Sequence, residues 1–275
     1  MVSNGSRAAA RSQRQQAVMD FVVSRGSASA ADLATLTKVS LMTVHRDIDE
    51  LVERGMLRRY RGGVSAQPSS VFESNIKYRL GAQVDQKAAI ARKAVELIEP
   101  GTSIMMDDST TALALARILT QVTPLTVVTN YLGVVQELRD EEAVQLIVIG
   151  GEYSRTHDSF IGAACLEAIE RFAVDQVFLS TSAMSATMTY HQEQQIVLVK
   201  RAMIRSATHA VLLMDSGKIP KTALHLLAPI TEFDHVVVDA GIDPALVSEL
   251  RERTDLQIAA LDADAAGPTG DGDAV

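Results

Sequence analysis

One strand-to-helix junction of the sequence carries several polar side chains that suit an anion. Its candidate contacts are Asp107, Ser109, Thr110 and Thr111. A junction of this kind presents hydroxyl groups and free backbone N–H groups at the positive end of a helix, which suits a phosphate group. An ordinary Ser or Thr helix cap has the same pattern. On these residues alone, the cap is the favoured interpretation and a phosphate site is the alternative.

Three further segments carry small or polar residues close to predicted strands. Thr129 ends one predicted strand and Asn130 follows it, and Asn130 suits a helix cap and a ligand contact equally well. Gly150 and Gly151 follow the next strand and indicate either a close approach of the backbone to a ligand or a simple turn. Lys218 is the best candidate cation for a phosphate or sugar oxygen, although an isolated lysine is more often a solvated surface residue.

The elements that position these side chains belong to an alternation of strands and helices that begins near residue 87. The predicted strands cover residues 103–107, 126–129, 144–149, 176–180, 210–214 and 236–239. Such an alternation predicts an α/β domain with a parallel sheet covered by helices. Ligands of these sheets bind at the carboxyl ends of the strands, in the loops that lead into helices. The candidate residues lie in such loops.

The N-terminal part of the chain has the pattern of a helix-turn-helix. A helix is predicted over about residues 7–24, a short second helix follows, and Ser40 opens a third helix. In the third helix, Val44, Ile48 and Leu51 recur at helical spacing and are expected in the core. The exposed residues expected to contact DNA in the major groove are Ser40, Met42, Thr43, His45 and Arg46.

A basic hairpin follows the third helix. Residues 56–60 predict a strand that returns after a tight turn. Arg58, Arg59 and Arg61 on this wing are expected to contact backbone phosphates, which adds affinity and salt dependence without base discrimination. A small helical interaction module with a solvated hairpin is the alternative. The agreement of turn spacing, helix phase and wing arginines favours a winged helix-turn-helix.

The charge of the 275-residue chain is unevenly distributed. Residues 1–80 carry 12 Lys and Arg against 7 Asp and Glu, a net charge of +5, whereas the rest carry 14 against 27, a net charge of −13. A basic head on an acidic body indicates that the head alone meets a polyanion. A chance excess on a solvated surface is the alternative, and charge by itself does not decide between the two.

Composition argues against several other classes of protein and site. A single cysteine excludes an internal disulfide and a cysteine-based zinc site, and the 6 histidines lack ligand spacing, so neither a metal nor a cofactor is expected. The apolar runs are far shorter than the ~18 residues of a membrane-spanning helix. The N-terminus lacks the apolar segment of a secretory signal. We therefore expect a cytoplasmic protein without membrane contact.

A polar segment around Pro68 indicates a domain boundary. We expect a winged helix-turn-helix DNA-binding domain over residues 7–65, a linker over 66–86, a second domain over 87–261 and a disordered tail over 262–275. The tail is rich in Gly, Ala and Asp and has no periodic apolar pattern, which is why we expect no packed core there.

Short motifs in both domains resemble those of the DeoR family of bacterial repressors. In the head they occupy residues 39–48, 51, 55–57 and 61–63. In the second domain they occupy residues 78–79, 87, 90–91, 107–111, 127–130, 149–151, 160–162, 200–203 and 215–218. Each motif is weak alone, but their shared order covers roughly residues 10–260.

This resemblance implies a fold and a function for both domains. The second domain is expected to fold like ribose-5-phosphate isomerase and coenzyme A transferases, to bind a sugar phosphate as effector and to form homo-oligomers. The whole chain is expected to repress a carbohydrate or nucleoside operon by binding double-stranded operator DNA. With the resemblance, a phosphate site becomes the favoured interpretation of residues 107–111. The resemblance also favours a ligand contact for Lys218 over a solvated surface position.

Two segments depart from the family pattern. Ser109 stands where the family has glycine, and Asp108 adds a carboxylate that would weaken phosphate binding unless it turns away. The loop after Ser180 lacks the glycines of the family. These departures leave a different effector, or a reduced response, open.

Two other classes of function compete with a metabolite-controlled repressor. An isomerase or acyltransferase fused to the head would need a positioned general base with an acid partner. Asp107, Asp215 and Glu193 are available, but nothing in the sequence assembles them, so we expect no enzyme. An oligomerisation module with a vestigial pocket would bind DNA without responding to any metabolite.

Overall fold

The computed structural model describes residues 11–261, apart from residues 12, 16, 20, 23–24, 26, 54–55 and 67–75. The chain divides into two compact units, Met1–Gly81 and Ala82–Val275. The predicted linker over 66–86 includes residues outside the described part and also helical residues at 76–81 and 84–86. The tail predicted over 262–275 lies outside the described part. The predicted domain limits therefore stay predictions.

The first unit combines three helices with a small sheet and a fourth short helix. Its elements are α1 (the helical residues between 11 and 25), β1 (Ser27–Ala28), α2 (Ala30–Thr37), α3 (Leu41–Glu53), β2 (Leu57–Tyr60), β3 (Gly63–Ala66) and α4 (Ile76–Gly81). Ser29 caps α2, because its hydroxyl accepts the Asp32 N–H while the Asp32 carboxylate accepts the Ser29 N–H. Lys38, in the left-handed conformation, ends α2 and turns the chain toward α3.

Apolar side chains from the first three helices and the sheet form one core. Val44, Ile48 and Leu51 of α3 are buried, as predicted. They pack with Val18, Met19, Val22, Ala28, Leu33, Leu57 and Val64. Because α3 buries this face, its opposite face remains exposed.

The wing is a three-stranded antiparallel sheet with the order β1-β3-β2. Tyr60 pairs with Gly63, so the hairpin loop consists of Arg61 and Gly62, and Gly62 has a φ of 113° that favours glycine. A Cβ atom at Gly63 would lie 2.3 Å from the carbonyl oxygen of Ala28, so glycine at this position allows β1 to approach β3. The sequence predicted the hairpin but not this third strand.

The second unit alternates strands and helices. Its helices are α5 (Val84–Val95), α6 (Thr110–Ala116), α7 (Leu132–Leu138), α8 (Ala163–Ile169), α9 (Gln194–Arg205) and α10 (Pro244–Arg251). Its strands are β4 (Ser103–Met106), β5 (Leu125–Thr129), β6 (Val144–Val148), β7 (Glu152–Ser154), β8 (Ser159–Ile161), β9 (Val174–Leu179), β10 (Ala183–Met184), β11 (Met188–His191), β12 (Ala207–Met214), β13 (His225–Pro229), β14 (His235–Asp239) and β15 (Asp255–Ala259). Short 3-10 helices cover Leu119–Val122, Ser216–Lys218 and Ile230–Glu232.

Seven strands form a parallel sheet in the order β15-β14-β12-β9-β4-β5-β6. The chain first passes from β4 through β5 to β6. It then returns to the sheet at β9, beside β4, and continues in the opposite direction through β12 and β14 to β15. The loops after β4 and β9 therefore diverge, and a crevice of this kind is where such sheets bind ligands. The predicted parallel α/β architecture is confirmed.

Two antiparallel sheets accompany the parallel one. β7 pairs with β8, and β10, β11 and β13 form a three-stranded sheet. The sequence predicted neither of them, nor β15, whereas its six predicted strands agree with the parallel sheet to within a few residues. Among the residues that the structure describes, no helix is long and apolar enough to cross a membrane.

Candidate functional site

The exposed face of α3 carries the side chains predicted to contact DNA. Met42 is 83% exposed, His45 and Arg46 are exposed, and Thr43 is half-buried. The Ser40 hydroxyl accepts the Thr43 backbone N–H at 3.3 Å and lies 2.9 Å from Thr43 Oγ1. The Ser40 hydroxyl therefore caps the helix, and the Thr43 hydroxyl lies beside it. The neighbouring Met42, His45 and Arg46 present an apolar group and two polar groups on one exposed surface.

A buried carboxylate fixes α1 against α3. Asp47 is 1% exposed and accepts hydrogen bonds from Arg14, at 2.5 Å from Nε to Oδ2 and 3.1 Å from Nη2 to Oδ1. The hydrogen bonding of Asp47 outweighs burial and raises the pKa of the Arg14 guanidinium. This bidentate pair holds the DNA-facing helix in place.

The wing arginines are exposed, and one of them contacts α3. Arg59 Nη2 forms an ion pair with Asp49 Oδ1, and the two side chains are 46% and 58% exposed. Arg58 and Arg61 are also exposed. Arg59 therefore has to share or break its ion pair with Asp49 before it contacts a phosphate.

In the second unit, Asp107 connects the carboxyl ends of β4 and β9. Its Oδ2 accepts the Ser180 N–H at 2.9 Å, and its Oδ1 accepts the Ser109 N–H at 3.0 Å. Asp107 directly follows β4 and Ser180 directly follows β9. This carboxylate therefore connects the two neighbouring strands at which the strand order reverses. Asp107 is 1% exposed and positions both loops.

Lys200 of α9 is buried against two carboxylates. Its Nζ donates to Asp107 Oδ2, and also to Asp108 Oδ1 at 3.0 Å. Burial lowers the pKa of Lys200, but the charges and hydrogen bonding of Asp107 and Asp108 outweigh it and raise the pKa above its ordinary value. The Ser159 hydroxyl donates to Asp108 Oδ2 at 3.0 Å. The carboxylate that was expected to oppose a phosphate therefore has both oxygens engaged by the protein.

A buried histidine extends this arrangement to Glu193. His157 is 2% exposed, and its Nδ1 lies 3.8 Å from Asp108 Oδ2 while its Nε2 lies 3.0 Å from Glu193 Oε1. The side chain of Glu193 is 44% exposed. Contacts between side chains thus lead from Lys200 through Asp108 and His157 to Glu193. Of these four side chains, only that of Glu193 is substantially exposed.

A second histidine, His191, forms a hydrogen bond with the backbone of Glu193. His191 Nδ1 accepts the Glu193 backbone N–H at 3.1 Å, and the His191 ring lies 6.3 Å from that of His157. Burial, together with the charge of Lys200, lowers the pKa of His191 to about 3. His191 is therefore neutral at neutral pH, as its role as a hydrogen-bond acceptor requires.

Two buried polar atoms near this cluster have no hydrogen-bond partner in the part of the chain that the structure describes. They are Thr111 Oγ1 and Asn130 Oδ1, and each residue is 1% exposed. Asn130 does not cap α7, because Tyr131 occupies that position. Its Nδ2 instead donates to the carbonyl oxygen of Phe160 at 2.8 Å. Unsatisfied buried polar atoms are rare in proteins and indicate a ligand or a water molecule.

Other predicted residues of these loops are engaged within the protein. Ser109 Oγ accepts the Ala112 N–H at 3.0 Å and caps α6, and Thr110 beside it is buried. Thr129 Oγ1 donates to the Met106 carbonyl at 2.9 Å and accepts the Tyr131 N–H at 3.1 Å. Ser109 and Thr129 therefore shape the loops after β4 and β5.

The remaining predicted residues lie farther along the same edge. A Cβ atom at Gly151 would lie 2.5 Å from the Ile161 carbonyl oxygen, so its lack of a side chain serves packing, whereas one at Gly150 would have no atom within 4 Å. Lys218 follows β12, and its Nζ lies 3.3 Å from Asp215 Oδ2. β6 and β12 are four strand spacings apart, about 19 Å. The strands that lead into Gly150 and Lys218 are therefore well separated in the sheet.

Sequence reasoning did not assign Lys200, His157 or Ser159 to the site. For Lys200 a signal exists, because it shares the apolar face of α9 with Ile196 and Met203, and a lysine at a buried helical position indicates an ion pair. His157 and Ser159 belong to the β7–β8 hairpin, whose place in the fold depends on tertiary packing. Within the described residues, no group of three or more His, Cys, Asp and Glu is arranged to hold a metal.

Comparison with known proteins assigns both units to one family. The model of the DeoR-like helix-turn-helix domain matches residues 14–70, and that of the DeoR C-terminal sensor domain matches residues 82–240. The glycerol-3-phosphate regulon repressor of Escherichia coli K12 is 32% identical over 253 residues, which cover 90% of this chain and 97% of that protein. The transcriptional repressor GlcR of Bacillus subtilis is 28% identical over 227 residues, which cover 82% and 88%.

Solved structures resemble the chain only distantly. Ribose 5-phosphate isomerase A from Methanocaldococcus jannaschii is 16% identical, covers 50% of this chain and 53% of its own, and has a TM-score of 0.35. This likeness supports no inference about activity, and the expected likeness to coenzyme A transferases stays a prediction. The two family models and the relatives describe transcriptional regulators rather than enzymes. The chain belongs to the DeoR family of helix-turn-helix transcriptional regulators.

Proposed function

We propose that the chain represses a carbohydrate or nucleoside operon by binding double-stranded operator DNA, and that a phosphorylated sugar controls this binding. The observation that carries the proposal is a pair of buried atoms without a hydrogen-bond partner among the described residues, Thr111 Oγ1 and Asn130 Oδ1. They lie at the carboxyl edge of a sheet in a chain with a helix-turn-helix. Both atoms gain hydrogen bonds when a ligand with phosphate and hydroxyl groups binds beside them.

In the DNA-binding half, α3 contacts bases and the wing contacts phosphates. Arg46 donates to a guanine edge, His45 hydrogen-bonds a base or a phosphate, and Met42 packs on a thymine methyl group. Ser40 and Thr43 contact the DNA backbone at the start of the helix. The arginines of the wing, Arg58, Arg59 and Arg61, neutralise phosphates on either side of the groove.

In the effector-binding half, the loops after β4 and β5 hold the ligand. Thr110 and Thr111 contact its phosphate, and Asn130 accepts a hydrogen bond from one of its hydroxyl groups. Asp107, Ser109 and Thr129 position these loops. Gly150 and Gly151 form the turn that bounds the effector site on the side of β6. Lys218 supplies positive charge from two strands away, about 10 Å, which a lysine side chain and a phosphate together span.

The names of the relatives support a carbohydrate operon as the target. They include repressors of a glycerol-3-phosphate regulon and, putatively, of an aga operon, although one relative is named an L-fucose operon activator. The proposal includes a homo-oligomer, because two heads match the two half-sites of a typical operator. It also places the protein in the cytoplasm, where bacterial DNA lies.

Fluorescence anisotropy of the full chain on DNA from its own upstream region tests both halves. We expect tight, salt-sensitive binding that at least one sugar phosphate weakens, and analytical ultracentrifugation should show an oligomer. Absence of sequence-specific binding would contradict the repressor. Specific binding that no phosphorylated sugar alters would contradict the effector half alone.

Matched variants separate DNA binding from sensing. Arg46→Ala should abolish specific binding, whereas Arg117→Ala, which removes an arginine that is 56% exposed in the second unit, should leave it unchanged. Lys218→Met should weaken the effector response without changing DNA affinity. Lys93→Met, at a lysine that is 35% exposed, provides the control for the loss of a positive charge.

A further inference from the structure

We propose that Gln83 transmits effector binding to the DNA-binding head, because it contacts the loop of Lys218 and lies in the segment that joins the two units. This joining segment consists of Ala82 and Gln83, which follow Gly81, the last residue of the first unit. The inference rests on the proposed function, in which Lys218 supplies positive charge to the effector, and it specifies how that site controls DNA binding. All contacts that carry it lie within the second unit.

Gln83 has a backbone conformation that is unusual for a residue with a side chain. Its φ of 52° and ψ of 45° lie in the left-handed region, and it directly precedes the first residue of α5. Its side chain makes no capping hydrogen bond to α5. Because this conformation is costly for residues other than glycine, it persists where the surroundings hold it in place. The direction of the joining segment therefore depends on the contacts of Gln83.

The side chain of Gln83 lies against Gly217, in the loop after β12. A Cβ atom at Gly217 would lie 3.2 Å from Gln83 Nε2 and 3.2 Å from Asp215 Oδ1. Both distances are shorter than ordinary van der Waals contacts, so glycine at this position lets the amide approach the loop closely. The amide nitrogen donates hydrogen bonds and the carboxylate accepts them, so these two groups beside the same glycine attract each other.

The carboxylate of Asp215 also contacts the cation of the proposed effector site. Lys218 Nζ lies 3.3 Å from Asp215 Oδ2, and the Lys218 side chain is 28% exposed. A phosphate that binds Lys218 competes with Asp215 for the ammonium group, because both are anions that accept its hydrogen bonds. Effector binding at Lys218 therefore changes the charge balance next to the amide of Gln83.

The start of this loop is held in place, whereas its next residue is a glycine. Asp239 at the end of β14 accepts the Ser216 backbone N–H at 2.6 Å and the Ser216 hydroxyl at 2.9 Å. Because Ser216 is held, a shift of Lys218 has to be taken up at Gly217, which has more conformational freedom than other residues. Gly217 is also the residue on which Gln83 packs.

On the other side of the joining segment, α5 is fixed in the core. Ile90 and Ala94 are 0% exposed, and α5 packs against α6, β14 and β15. Lys87 of α5 is buried, and its Nζ donates to the carbonyl oxygen of Ala82. Since α5 cannot move without disturbing this packing, the joining segment is the part that responds when the loop after β12 shifts.

These contacts give the joining segment two arrangements. In one, Gln83 packs on Gly217 and keeps its left-handed backbone. In the other, the contact is lost and Gln83 returns to an ordinary backbone conformation, which redirects the chain where it enters the head. An effector that favours one arrangement changes DNA affinity, and by linkage DNA changes effector affinity by the same factor.

Three affinities of the full chain test this role of Gln83. They are the affinity for DNA from its own upstream region, the affinity for a sugar phosphate, and the DNA affinity at saturating sugar phosphate. The probe is whichever of glycerol 3-phosphate, glucose 6-phosphate and fructose 6-phosphate changes wild-type DNA binding most. We expect a change of at least about tenfold in the wild type.

Gln83→Ala should reduce this change to about threefold or less. Its affinity for the sugar phosphate in the absence of DNA should be equal or tighter, because binding no longer has to move the joining segment. Gln83→Asn tolerates the left-handed conformation but is one methylene shorter, so it should also respond less than the wild type. Gln121→Ala, at an exposed glutamine of the same unit, should keep the full response.

The possible failures are distinguishable. If none of the three compounds changes wild-type DNA binding, the effector half of the proposed function and this inference both fail. If the wild type responds and Gln83→Ala responds equally, the inference is wrong and the proposed function stands. Weaker sugar phosphate binding by Gln83→Ala would make Gln83 a ligand contact and would also overturn the inference.

Discussion

Lys200 Nζ lies 3.0 Å from Asp108 Oδ1, and the two side chains are only 2% and 4% exposed. The same ammonium group also contacts Asp107, so one positive charge is shared by two carboxylates away from solvent. Removing one partner of a buried ion pair is costly because the other charge stays buried without compensation. At this position, two such charges would remain.

Lys200→Met should therefore destabilise the second unit by about 3–5 kcal/mol. Hydrogen exchange of the β4 and β9 amides measures this change in the second unit alone. Lys93→Met, which removes a surface pair with Glu96 at 2.6 Å, serves as the control and should cost less than about 1 kcal/mol. A similarly small effect of Lys200→Met would show that the buried pair does not hold these strands together.

His191 should make the stability of the second unit depend on pH. Its pKa in the folded chain is about 3, below the ordinary value of 6.5, because burial disfavours the charged ring. The unfolded state therefore takes up a proton as the pH falls below about 6.5 while the folded state does not, and stability is lost in that range. Between pH 7 and pH 5 the expected loss is about 2 kcal/mol.

His191→Gln, which keeps an acceptor for the Glu193 N–H, should flatten this pH dependence. His209→Gln, at a histidine that is 54% exposed, should leave it unchanged. Urea denaturation monitored through hydrogen exchange of β11 and β12 at several pH values provides the measurement. If His191→Gln has the same pH dependence as the wild type, another group titrates in this range.

The sequence predicted what depends on local pattern. The periodicity of Val44, Ile48 and Leu51 located the buried face of α3, and apolar runs located six strands of the parallel sheet. The position of candidate ligand residues in the loops after β4 and β5 followed from the parallel direction of the predicted strands alone. Partner choice across long separations was not predictable, because Lys200 and Asp108 lie 92 residues apart in the chain.

The same limit applies to the role of individual polar residues. Asn130 suited a cap or a ligand contact, and only the start of α7 after Tyr131 removes the first interpretation. Thr129 carries a hydroxyl group that suits a ligand contact, yet this hydroxyl is hydrogen-bonded to the backbone of Met106 and Tyr131. Such engagement depends on neighbouring strands, which a single sequence does not specify.

The ion pair between Asp49 and Arg59 predicts a variant that binds DNA more tightly. Asp49→Asn removes a negative charge from the DNA-facing helix and releases Arg59 for a phosphate contact. We expect higher affinity, and a slope of log affinity against log salt that is steeper by about 0.9 for one additional phosphate. Anisotropy titrations at several salt concentrations measure both quantities.

Glu53→Gln removes the same charge from the same helix, at an exposed residue that has no ion pair with a wing arginine among the described residues. It should raise affinity slightly through charge alone and leave the salt slope nearly unchanged. If Asp49→Asn matches Glu53→Gln in both quantities, Arg59 gains no phosphate contact on release. Weaker binding by Asp49→Asn would mean that the ion pair positions Arg59 for DNA.

The two adjacent glycines after β6 should respond differently to alanine. At Gly151 the new Cβ would lie 2.5 Å from the Ile161 carbonyl oxygen and 3.0 Å from Cys165 Cβ, with a φ of 151° that side chains rarely adopt. Gly151→Ala should therefore lower the stability of the second unit by about 1–3 kcal/mol. At Gly150 no atom lies within 4 Å of the new Cβ, so Gly150→Ala should change stability by less than about 0.5 kcal/mol.

This difference separates the two interpretations of the turn. Because Gly150→Ala leaves the fold intact, any loss of its response to a sugar phosphate that releases the wild type from DNA reports on the ligand itself. A weakened response means that the backbone of Gly150 approaches the effector, as a binding role requires. An unchanged response assigns Gly150 to turn geometry, and it confines the effector to the loops after β4, β5 and β12.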